Sequence, residues 1–264
     1  MSLKAALETP LASVACSPVV RFWQVDFYPM EAHTAVIEAH PRWVLTPVKR
    51  LAKCGTAVTR AYSQALRTGP PVEAKTSWGR FVFTPDAPPF APSRVPALGS
   101  LGMGEIHEVQ PPPLSLLDAP DYDRRLGLLT FLHEHLLRLA AALDWYTQPF
   151  EQARLAVLAS DLRYVLRSPM KASPDRRHRA GVTMEVDGNG DAWLELAVLT
   201  QAGDVVHTSP PLMTHESERG FNAVRRTIHW SSRTTVTVDA WPLDDPFGPE
   251  GGGKYMAEVR GDVS

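Results

Sequence analysis

Between Asp121 and Asp144 the apolar residues recur at steps of three and four, so that Leu129, Leu132, Leu136, Ala140 and Leu143 fall on one side. This period predicts a long helix with a buried stripe. Pro149 opens a shorter helix reaching about Leu158, with Thr147 as its cap. A third helix is predicted from Pro47 to Arg67, where Thr46 is the N-cap, Pro47 fills the first turn and Thr68-Gly69-Pro70-Pro71 is the stop.

Elsewhere the pattern shortens to strands. Residues 19–28 are rich in β-branched and aromatic types and end at Pro29, a further strand is expected near Ala35–Glu38 or Arg42–Leu45, and Trp78–Thr84 reads as another. After the long helix come Leu162–Arg167, Val182–Asp187, Trp193–Leu199, Val205–Thr208 and Thr234–Trp241. Gly188-Asn189-Gly190 and Ala202-Gly203-Asp204 separate members of this series, which indicates an antiparallel meander. The expected fold class is α+β: antiparallel sheets, one long amphipathic helix, a basic helix in the N-terminal part and a C-terminal β-meander.

Eight prolines between Pro85 and Pro113 forbid a helix there and would interrupt a central strand. The expected organisation is therefore an N-terminal part over 1–84, a proline-rich connector over 85–113, a helix pair plus meander over 114–246 and a flexible tail over 247–264.

With 44% hydrophobic and 21% charged residues and a formal net charge of −2, the chain of 264 residues has an ordinary globular composition. The overall charge names no partner. Two cysteines, Cys16 and Cys54, suggest a reducing compartment, the first 18 residues lack the uninterrupted apolar core of a signal peptide, and no membrane association is expected. A cytoplasmic location follows as the expectation.

Local charge is more informative. Residues 42–80 carry eight Lys or Arg against one acid, Glu73. On the predicted helix Lys49, Lys53, Arg60 and Arg67 fall within a sector of about 40°, opposite Leu51, Val58, Tyr62, Ala65 and Leu66. Aligned cations suit a row of phosphates, and the competing reading is a solvated helix face. The second basic tract is Arg163–Arg179, with Arg167, Lys171, Arg176, Arg177 and Arg179 and a single acid, Asp175. Its two Ser-Pro steps predict turns whose amides could cradle an anion, and the competing reading is a loop whose arginines pair with Asp187, Asp191 or Glu195. Arg225, Arg226, His229 and Arg233 surround Trp230 in a third, weaker set.

Catalytic patterns are sparse. His133 and His135 flank the leucine stripe about 200° apart and cannot ligate one metal from one helix face. Gly248-x-x-x-x-Gly253-Lys254 approaches a phosphate-binding loop, but Tyr255 replaces the required Ser or Thr. His207, His215 and His229 could gather with Glu216 or Glu218 only through the fold. No cofactor or metal is expected, and a non-enzyme is favoured. The primary expectation is a protein that binds DNA or RNA through phosphate contacts, in a role such as nucleic-acid maintenance. The alternatives are a protein-interaction module, such as an inhibitor, immunity or assembly factor, meeting an acidic partner, and a hydrolase with a dispersed active site. The apolar side chains around the long helix would serve a homodimer.

Overall fold

The structure is a computed structural model that describes residues 20–29, 46–74, 76–84, 87, 104–214, 216–239 and 254–258. The first predicted strand divides at Trp23. Its halves are β1 (Val20–Phe22) and β2 (Gln24–Pro29), and the amides of Trp23 and Gln24 both donate to the Ser77 carbonyl. The strand expected over 35–38 or 42–45 lies outside the described residues.

The basic helix starts where its signals place it: the Thr46 side chain accepts the Lys49 amide at 3.3 Å and Pro47 occupies the first turn. It is two helices, however, α1 (Pro47–Cys54) and α2 (Thr56–Thr68), joined at Gly55. A side chain at position 55 would run into the Phe27 ring, so the missing Cβ lets the helix approach β2 closely. Leu51, Val58, Tyr62 and Leu66 are buried, as the pattern requires.

After the helices, β3 (Val72–Ala74) pairs antiparallel with β1, and β4 (Trp78–Phe83) pairs parallel with β2. A third parallel strand, β5 (Gly104–Val109), joins β4 from within the proline-rich stretch. This corrects two expectations. The sheet β2-β4-β5 is parallel, with α1 and α2 in the crossover from β2 to β4, and the supposed connector contributes a strand because residues 104–109 hold none of the prolines.

A 3₁₀ turn (Leu114–Asp118) leads into α3 (Asp121–Leu143), followed by α4 (Gln148–Ala159). Leu128, Leu129, Leu132, Leu136, Leu139 and Ala140 are buried, and each leucine contributes about 1.5–3 kcal/mol by leaving water. By length and composition α3 could cross a membrane; in this fold its leucines form core. That core is one cluster of buried apolar residues running from Phe22 to Val238, and Phe22 packs against Trp145 across the proline-rich stretch.

The large sheet is antiparallel, in the order β10-β9-β8-β6, from β6 (Tyr164–Arg167), β8 (His178–Val186), β9 (Ala192–Thr200) and β10 (Val205–Thr208). The short strands β7 (Lys171–Ala172) and β11 (Leu212–Thr214) pair with β8 and β9. Ala180, Val182, Met184 and Val186 alternate inward with Ala192, Leu194, Leu196 and Val198 opposite. Between β8 and β9, Asp187 accepts the amides of Asn189 and Asp191, and Gly190 adopts φ +80°. A side chain at Gly190 would collide with the Lys53 carbonyl, so this turn docks against the end of α1.

The chain finishes with α5 (Glu218–Arg226), capped by the Ser217 hydroxyl, and a small sheet of β12 (His229–Trp230), β13 (Thr235–Asp239) and β14 (Lys254–Glu258). Part of the tail read as flexible thus forms a strand against β13. Residues 247–253 lie outside the described residues.

Candidate functional site

The helix stripe does not reach solvent as four free cations. Docking of the β8–β9 turn brings Asp191 to Lys53, whose Nζ donates to Oδ1 at 2.6 Å. Arg67 donates to Glu218 at the start of α5, and its guanidinium lies 5.7 Å from the centre of the Trp23 ring. Both ion pairs remain partly exposed, where such pairs contribute about 0–1 kcal/mol. Lys49 and Arg60 are half-buried. Burial pushes the Tyr164 hydroxyl pKa up, Glu218 adds to the rise, and Arg60 and Arg67 oppose it, so these groups share one neighbourhood between α2 and β6.

The Arg163–Arg179 tract is the outer edge of the large sheet. β6 and β7 run in succession along β8, which at about 3.3 Å per residue gives an edge of roughly 26 Å. Arg163 grips Glu185 with two donors, Nε at 2.8 Å from Oε1. Lys171 donates to the Ile228 carbonyl at 2.7 Å, and Trp230 donates its indole N–H to the Lys171 carbonyl at 3.0 Å. The third basic set is thereby fixed: Trp230 packs on the core with its polar atom spent, while Arg226, His229 and Arg233 are exposed.

At the β7–β8 turn the expected anion cradle is already filled. The Asp175 carboxylate accepts the Ser173 hydroxyl at 2.7 Å and the Arg177 amide at 3.1 Å, and these bonds hold its pKa below the usual carboxylate range. Arg176 takes φ 60° at the turn. Arg167, Arg176 and Arg177 stay exposed, and Arg179 is half-buried opposite Leu199. Cations, Pro169 and Pro174 are also what an open edge needs to resist pairing with another sheet.

Beside this edge lies a groove of about 410 Å³. Ala61, Gln64, Ala65 and Thr68 of α2 form one wall, Ala156, Val157 and Ser160 a second, and Arg163 with Val165 and Arg167 of β6 the third. Periodicity within single elements could not reveal it, because it lies between three of them.

The candidate catalytic residues do different work. Tyr62 donates to the Phe150 carbonyl at 2.8 Å and meets His133 Nδ1 at 2.9 Å, while His133 Nε2 faces Glu151 at 3.3 Å. A Tyr–His–Glu series could relay protons, but Tyr62 is fully buried and burial pushes its pKa well above the usual range. The series ties α2, α3 and α4 together. His135 instead meets the Phe131 carbonyl at 2.8 Å and packs tilted against the Phe131 ring, with centroids 4.1 Å apart. Burial lowers the pKa of both histidines, and Glu151 partly opposes this at His133. His207 sits on β10, His229 on β12 is exposed, His215 lies outside the described residues and Glu218 is bound to Arg67. Among the described residues no three His, Cys, Asp or Glu side chains are grouped to hold a metal. Comparison with known proteins finds no match to a protein family, a curated protein or a solved structure.

Proposed function

We propose that this chain is a protein-interaction module that meets an acidic partner along the β6–β7 edge. One observation carries the reading: Arg167 at the end of β6, and Arg176 and Arg177 in the turn that follows β7, all stand exposed, and no ion pair engages them among the described residues. Lys171 extends the same edge with two ammonium hydrogens left after its bond to Ile228. The adjoining groove has alanine and valine in its walls, which suits a polypeptide better than a phosphate backbone.

Fluorescence anisotropy with an end-blocked Glu-rich peptide and its Lys-rich counterpart tests it. The acidic peptide should bind at low salt, the basic one should not, and Arg167→Gln, Arg176→Gln and Arg177→Gln together should abolish binding. Equal affinity for the two peptides would overturn the proposal.

A second reading is nucleic-acid binding. It is favoured by the placement of Arg167 and Lys171 along the edge, with Arg176 and Arg177 at the turn that follows, since phosphates also form a row. The pairing of Lys53 and Arg67 leaves fewer free cations than their alignment implied. With three or four phosphate contacts at roughly 0.9 each, the log–log salt slope on duplex DNA would be about −3. Tight, salt-dependent binding of a duplex or dT oligonucleotide, with no binding of the acidic peptide, would put this reading first.

A further inference from the structure

Not every main-chain group of β6 is used by the sheet. Ser168 donates its amide to the Val182 carbonyl at 2.9 Å, and the register pairs Arg167 with Thr183 and Tyr164 with Val186. In an antiparallel pair, successive residues point their main-chain groups alternately toward and away from the partner strand. Tyr164, Leu166 and Ser168 therefore turn theirs to β8, and Arg163, Val165 and Arg167 turn theirs outward. Arg163 is satisfied locally, its amide by the Ser160 carbonyl at 3.2 Å and its carbonyl by the Ser160 hydroxyl at 3.3 Å. Val165 and Arg167 have no such main-chain partner among the described residues. Both line the groove, and its facing walls include Ala61, Ala65 and Ala156, whose small side chains leave room beside the strand.

Resting on the reading of this edge as the partner site, we infer that the groove receives one extended segment of an acidic partner as an added strand on β6. Main-chain bonds to Val165 and Arg167 supply the affinity of such a strand, and alternate side chains supply its selectivity. Charge selects the occupant. Arg163, just before β6, and Arg167 at its end lie four positions apart, and Arg163 already shares its charge with Glu185. Acids at every second position of the added strand therefore stand over these arginines, and Arg167 takes the strongest new pair. The same cations repel a basic strand, so the edge is closed to the wrong partner by the charges that open it to the right one.

The test titrates the full chain with a fluorescein-labelled, end-blocked peptide of about seven residues alternating Val and Glu. Two N-methylated forms are compared with it, one methylated at the Val amides and one at the Glu amides. One of them should lose at least about tenfold in affinity, because a strand pairs through one edge and two lost main-chain bonds amount to about tenfold or more. Val165→Pro, which deletes one outward amide, should weaken the unmodified peptide similarly. Should that variant fail to fold, the methylated peptides still decide the matter.

Equal affinity for methylated and unmethylated peptides overturns strand addition while the charge-based reading of the edge stands. Failure of every acidic peptide to bind at millimolar concentration overturns both. A dT oligonucleotide that binds more tightly than the peptide, undisturbed by Val165→Pro, overturns strand addition in favour of nucleic acid.

Discussion

Replacing Tyr62 by Phe removes a single oxygen from the centre of the molecule and leaves the ring that fills the core. That oxygen is fully buried and bridges two groups, the Phe150 carbonyl at 2.8 Å and His133 Nδ1 at 2.9 Å. Without it, no water replaces the lost contacts unless the helices separate. A typical hydrogen bond contributes about 0.5–1.5 kcal/mol net, and a buried group left unpaired costs about 1–3 kcal/mol. His133 keeps its Nε2 contact with the half-exposed Glu151 but its Nδ1 loses its partner. The Phe150 carbonyl loses its side-chain donor as well, so the expected destabilisation is about 2–4 kcal/mol. Urea unfolding should show it as a lowered midpoint at unchanged slope. A double-mutant cycle with His133→Phe should return a coupling of about 1–2 kcal/mol, since the two side chains touch. A loss below about 0.5 kcal/mol in Tyr62→Phe would refute the view that this hydroxyl joins α2, α3 and α4.

Leu136→Ala empties a fully buried site on α3 and should cost about 2–5 kcal/mol in the same assay. Stability should also fall on acidification from pH 7.5 to 5.5. Burial lowers the native pKa of His133 and His135 below the usual 6.5, so the unfolded chain takes up protons first and the stability present above 6.5 is lost as the pH drops; urea midpoints that stay flat or rise over this window would contradict the assignment. Lys53→Gln breaks a partly exposed pair with Asp191 and should cost no more than about 1 kcal/mol, read by thermal unfolding.

Local chemistry was legible where local chemistry decides the outcome. Thr46 and Pro47 announce α1, the leucine steps announce α3, and Asp187 with Gly190 announces the β8–β9 turn, because caps, periods and positive φ act within a few residues. The break at Gly55 was not legible. The apolar pattern runs straight through it, and only the Phe27 ring pressed against it explains the glycine. The parallel pairing of β2, β4 and β5 likewise depends on contacts between strands that are remote in sequence.

The candidate site divides in the same way. Lys53 and Arg67 align on a helix, yet their carboxylate partners lie 138 and 151 positions away. Alignment could not disclose that these charges are neutralised. Asp175 was visible as the one acid in its tract, but its capture of the Arg177 amide follows from the turn geometry. The groove beside β6 exists only once α2 and α4 are packed against the sheet.

Amide hydrogen exchange followed by NMR tests most directly whether β6 presents an open edge. The Tyr164, Leu166 and Ser168 amides face β8 and should exchange slowly, whereas those of Val165 and Arg167 face the groove and should exchange rapidly in the free protein. Addition of the Val-Glu peptide should slow Val165 and Arg167 selectively. Uniform slow exchange from Tyr164 to Ser168 in the free protein would mean that the edge is already closed, and would contradict the account.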